Sequence, residues 1–197
     1  ITRGLTTGEN VLGGYRTRLF NRLTLEMGDV DFVGTASDNP DPDNLPDPDH
    51  EGHGGNLISQ MSTSIDDWLA QTNPNIVLLH IGTNDVAQDY LLPTAPQRLD
   101  DLISQITSYS SKIYVIVAQI ITSTSAAEAV QISTYNAEIS AIVAAHAALG
   151  HNVFMVDMNS AVPLNQFHDT YHPNKNGYDI MADTWFDAIT QLPIITP

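Results

Sequence analysis

The chain has no cysteine among its 197 residues. That excludes disulfides, a thiolate nucleophile, and zinc or iron–sulfur sites held by cysteine. Basic residues are scarce: 7 Lys+Arg stand against 23 Asp+Glu, a formal net charge of −16. A surface of that sign repels phosphates, which argues against nucleic acid and against an anionic membrane surface as partners. Long apolar runs are missing too, and none approaches the roughly 20 residues of a membrane span. Charged residues make up 15% and apolar ones 42%, too few charges and too much apolar content for a disordered chain. No Gly-x-Ser-x-Gly motif is present, so the nucleophile elbow built on that pattern is absent.

What is present alternates between strand-like and helix-like stretches. Strands are expected at Val30–Gly34, Ile76–Ile81, Ile113–Ala118 and Val153–Asp157. The middle two are β-branched apolar runs, which is how parallel strands buried on both faces read. Helices are expected over Tyr15–Met27, Leu57–Ala70, Ala95–Tyr109, Ala126–Leu149 and Gly177–Gln191, where apolar residues recur at helical spacing. Such alternation predicts an α/β three-layer sandwich around a central parallel sheet, in one domain spanning 1–197. Ligands of such sheets bind beyond the carboxyl ends of the strands, so the strand-to-helix loops carry the functional expectations.

Three of those loops are rich in polar residues. Asp169-Thr170-Tyr171-His172 can fold its carboxylate back onto the imidazole three residues later, leaving Nε2 free as a general base. Asp169 could equally cap the following helix. Asn84, after the Gly82 turn, can aim its amide into the crevice as an oxyanion donor, or simply belong to an Asn-Asp turn. Gly54-Gly55 would let backbone N–H groups approach a ligand closely. The stretch Asp38–Glu51 holds six of the 23 acids and four of the 11 prolines. Proline removes backbone donors, so this stretch is neither helix nor inner strand but a stiff acidic loop. Carboxylates on such a loop suit structural Ca²⁺, with Asp38, Asp47 and Asp49 as the expected ligands and Asp41, Asp43 and Asn44 as alternates. A solvated acidic surface would read the same way. Arg3, Arg16, Arg18 and Arg22 cluster early and are expected to make helix-surface ion pairs.

Taken in order, Ile1–Gly4, Asp47–Gly55, His80–Asp85 and Asp169–Asn174 resemble the sequence blocks of the SGNH (GDSL-type) hydrolase superfamily. More narrowly, Asp47-x-Asp49-His50-Glu51-Gly52-His53-x-Gly55 and His80-Ile81-Gly82-Thr83-Asn84-Asp85 resemble carbohydrate esterase family three, the acetyl xylan esterases. The resemblance implies a flavodoxin-like sheet of about five strands, in the doubly wound class. It also implies Gly55 and Asn84 as oxyanion donors, Asp169 as the orienting carboxylate and His172 as the base. The nucleophile it implies is a serine directly before Ile1, together with a first strand ahead of it. Asn56 departs from the subfamily, where an aromatic residue is expected. The activity implied is removal of acetyl groups from xylan or a related polysaccharide by two-step acyl transfer, with no organic cofactor. The same machinery acting on other acyl chains is one alternative, and a Ca²⁺-dependent carbohydrate-binding domain without catalysis is another. The lack of thiols and of any signal peptide fits the mature form of a secreted protein.

Overall fold

The computed structural model describes residues 11–38 and 41–195. The Ile1–Gly4 block and Arg3 lie outside the described residues. In chain order the elements are α1 (Tyr15–Met27), α2 (Ile58–Thr72), β1 (Ile76–Leu79), α3 (Thr83–Ala87), α4 (Ala95–Tyr109), β2 (Tyr114–Ala118), α5 (Ala126–Ala148), β3 (Val153–Val156), α6 (Met158–Ala161) and α7 (Lys175–Thr190). The three strands are parallel in the order β1-β2-β3, with Ile76 opposite Tyr114 and Val115 opposite Val153.

Period-two alternation along β2 decides the layers. Val115 and Val117 join α2, α4 and α5 in one core, through Met61, Ile65, Leu102, Ile106, Ile132 and Ile139. Ile116 and Ala118 face the other way, into a second core built by α1 and α7 with Leu19, Tyr178, Met181 and Trp185. Helices therefore cover both faces of a parallel sheet, the three-layer α/β architecture that the sequence predicts. No helix of the described residues is long and apolar enough to cross a membrane.

Two expectations need correction. The described residues form three strands, not about five, and Val30–Gly34 is not one of them. A strand exists only where a neighbour completes its ladder. The Phe32 N–H instead donates to the Asp47 carboxylate at 2.6 Å, and the segment's first backbone pairing is the Ala36–His50 bridge. Between that segment and the edge of β1 that is unpaired among the described residues lies a cleft of about 770 Å³, lined by Leu19, Val30, Phe32, Ile65, Ile76 and Leu78 among others. The early arginines divide. Arg18 and Arg22 pair with Asp183 on α7 at 2.7 Å, and Arg22 also lies over the Phe186 ring. Arg16 is buried rather than on the surface, and its guanidinium donates to the carbonyls of Pro48 and Asp38, tying the acidic loop to α1.

Candidate active site

The turn before α7 brings Asp169 and His172 together. His172 Nδ1 lies 3.0 and 2.9 Å from the two Asp169 carboxylate oxygens, and the N–H groups of Tyr171 (2.9 Å) and His172 (2.8 Å) donate to the same carboxylate. Burial works against ionising this group, but those donors outweigh it and hold the carboxyl down at about 2. An ionised carboxylate only accepts, so it places an imidazole proton on Nδ1 and turns Nε2 away from itself. The His172 side chain is 44% exposed, and Nε2 has no hydrogen-bond partner among the described residues. The Phe167–Pro173 bridge and the His168 N–H to His172 carbonyl bond (2.8 Å) fix the turn. The helix cap is supplied by Asn174, whose side chain accepts from the Gly177 N–H, so Asp169 is left for the imidazole.

Asn84 opens α3 at the carboxyl end of β1. Gly82, just before it, has φ +121°, and a Cβ there would stand 2.6 Å from the Tyr135 ring, so only glycine fits this turn. Asn84 Nδ2 donates one proton to the Asn56 carbonyl at 3.0 Å, which fixes the amide and leaves its second proton for a ligand. Gly55, with φ +84°, lies next to Asn56, and its carbonyl accepts from Gln88 at 3.4 Å. The loop carrying Gly55 and the loop carrying Asn84 are therefore joined.

The residues that hold this arrangement were not legible as partners. Asp85, 1% exposed, accepts from the Ile58 N–H at the start of α2 (3.1 Å) and from Arg98 of α4 (2.7 Å). The Gly-x-Asn-Asp motif marks Asp85 but not the arginine it meets. His80 is occupied structurally: its Nε2 accepts the Ile121 N–H at 3.3 Å, and desolvation pushes it down to about 3. That bond links the β1 end to the β2–α5 loop, and the same loop reaches the histidine turn, where the Thr124 N–H donates to the Thr170 carbonyl at 3.2 Å. Both functional clusters thus rest on one connecting loop at the carboxyl end of the sheet. A second surprise is His146, buried in α5 between His151 (Nδ1 to Nδ1, 3.0 Å) and Asp100 (2.9 Å).

Two of the expected calcium ligands engage other groups of the protein. Asp47 accepts from the N–H groups of Phe32 and Asp49, Asp38 Oδ1 lies 3.2 Å from His50 Nε2, and Asp49 is exposed. Among the described residues no three His, Asp or Glu groups gather as a metal requires.

The sequence profile of the GDSL-like lipase/acylhydrolase family matches residues 4–180. No curated protein sequence matches the chain. Among solved structures, the chain resembles a family 3 carbohydrate esterase of Clostridium thermocellum at 33% identity and a TM-score of 0.85, over 100% of this chain and 94% of that one. A family 3 carbohydrate esterase from Talaromyces cellulolyticus is 26% identical, with a TM-score of 0.81 over 90% of each chain. An acetylxylan esterase from Geobacillus stearothermophilus, at 18% identity and a TM-score of 0.66 over 89% of this chain and 80% of that one, shares the fold. With the profile matched across most of its length, the chain belongs to the GDSL-like lipase/acylhydrolase family and is a carboxylic ester hydrolase.

Proposed function

We propose that the protein removes acetyl groups from acetylated xylan or a related neutral polysaccharide outside the cell, by two-step acyl transfer. The observation that carries this reading is the Asp169–His172 pair, with Nδ1 held and Nε2 open. Nε2 takes the proton of a serine directly before Ile1, and that serine oxygen attacks the acetyl carbonyl. The Gly55 N–H and the second proton of the Asn84 amide stabilise the resulting oxyanion, each donor contributing about 3–4 kcal/mol in the transition state. Nε2 then returns the proton to the departing sugar oxygen. Water, deprotonated by the same nitrogen, attacks the acyl-serine; the acyl C–O bond breaks, Nε2 returns its proton to the serine oxygen, and acetate is freed. Asp169 stays ionised throughout and steadies the imidazolium.

The cleft beside β1 supports the serine's position. A parallel strand laid along that open edge would bury the apolar lining from both sides and end at the same carboxyl end as Asn84. The acetyl preference is supported by the name of a solved structure at 26% identity, an acetyl esterase, and by the carbohydrate esterases at 33% and 26% identity. The acidic surface suits a neutral polymer. Turnover of a p-nitrophenyl ester series by the full-length protein tests the reading, followed by acetate release from acetylated xylan. Faster hydrolysis of acetate than butyrate, lost in a folded His172→Ala variant, is expected. A preference for butyrate, or an active His172→Ala variant, would contradict it.

A further inference from the structure

The turn bearing Asp169 and His172 is gripped by side chains that the mechanism above does not use. Tyr171 points its hydroxyl at Glu128 in the first turn of α5, donating to Oε1 at 2.5 Å. The other oxygen, Oε2, accepts from Ser123 at 2.8 Å, and Ser123 Oγ in turn accepts the Ser125 N–H at 3.0 Å. The Thr124 N–H holds the Thr170 carbonyl at 3.2 Å. The β2–α5 loop and the start of α5 thus anchor Thr170 and Tyr171 at two points, one through backbone and one through side chains.

An Asp-x-x-His turn needs only the peptide of Tyr171, whose N–H, together with that of His172, holds Asp169 Oδ1 at 2.9 and 2.8 Å. The hydroxyl group is surplus to that geometry, yet it meets a carboxylate whose other oxygen is also spoken for. Burial and the neighbouring Glu128 push the phenol up to about 12, so it remains a donor at any working pH. An O–H to carboxylate bond of this length is charge-assisted and roughly twice as strong as a neutral one. Its mechanical effect follows from the chain. Rotating Tyr171 out of place swings its N–H away from Asp169, and Asp169 is what orients the imidazole. Small displacements of a reacting group are costly, about 100-fold for 1 Å.

We propose that Glu128 and Tyr171 form a positioning couple that holds the Asp169–His172 pair in its working geometry, acting through the Tyr171 peptide and without touching substrate. The inference rests on the acyl-transfer reading above.

The test uses the full-length protein and p-nitrophenyl acetate. Tyr171→Phe removes only the hydroxyl and keeps ring and peptide. It should lower kcat about 10- to 100-fold with KM within about twofold, since binding groups are untouched. Glu128→Gln, which still accepts a hydrogen bond, should retain clearly more activity than Glu128→Ala. Specificity comes from repeating Tyr171→Phe in an Asp169→Asn background. If the couple acts through Asp169, the hydroxyl loss has little further effect there. An equal fold-loss in both backgrounds indicates a general structural role and overturns the proposal, as does an unchanged kcat in Tyr171→Phe. Should Tyr171→Phe fail to fold, the Glu128→Gln and Glu128→Ala comparison decides, equal activities overturning the proposal. His172→Ala run alongside separates the two readings. An active His172→Ala removes the mechanism itself, whereas an inactive one beside a wild-type-like Tyr171→Phe removes only the positioning couple.

Discussion

The Asp169 carboxylate accepts from two backbone N–H groups and one imidazole, and each of those bonds favours its charged form. The consequence for stability has a definite sign. The folded value of about 2 lies below the roughly 3.9 of an unfolded aspartate, so the contribution is complete above about pH 4 and fades as pH falls towards 2. Urea unfolding of Asp169→Asn should therefore show a deficit against wild type at pH 7 that shrinks by pH 3; a constant deficit would contradict the depressed value. At Asn84 the expected loss is kinetic. Asn84→Ala should lower kcat about 100- to 1,000-fold with little change in KM, as for other oxyanion donors, and steady-state kinetics on p-nitrophenyl acetate measure it directly. The spacing Asp169-x-x-His172 was legible in the sequence because the two partners lie on one turn. Glu128 and Tyr171 lie 43 positions apart, and Asp85 and Arg98 meet from separate helices, so nothing in the local pattern pairs them.

Elements whose stability is local were read well. α1 and α4 have the bounds that their apolar spacing predicts, and the predicted strands at 76–81, 113–118 and 153–157 contain β1, β2 and β3 with one or two terminal residues trimmed. Val30–Gly34 failed for a physical reason. Its composition suits a strand, but the Phe32 N–H finds the Asp47 carboxylate and not a neighbouring ladder. Short elements such as α3 were missed because five residues carry no helical periodicity, and what forms α3 is the Gly82 turn with Asp85 anchored across it. Gly82→Ala should accordingly be severe. A methyl group would meet the Tyr135 ring at 2.6 Å in a backbone region that alanine disfavours, which costs about 1–3 kcal/mol for the conformation alone. Thermal unfolding should show the loss of stability, and kcat should fall with it because Asn84 is displaced; a Gly82→Ala protein with unaltered midpoint and turnover would contradict this placement.

At the scale of the molecule, the layers and the site belong to one design. Parallel strands put every carboxyl end on the same side, and the three of the four hydrolase-like sequence blocks that lie among the described residues map to loops there or are tied to them. The fold class followed from alternation alone. The strand count did not, because the open edge of β1 faces a cleft where the sequence offers no ladder partner among the described residues. The acidity also has structure: the loop bearing six acids is bound through the buried Arg16 and His50, and it leads into the Gly55 turn. The central claim is that His172 activates a serine directly before Ile1. Treating the full-length protein with a fluorophosphonate ester and locating the adduct by peptide mass mapping tests it most directly. The expected result is a single adduct on that serine, formed rapidly by wild type and negligibly by His172→Ala. An adduct on another residue, or equal labelling of the two proteins, would contradict it.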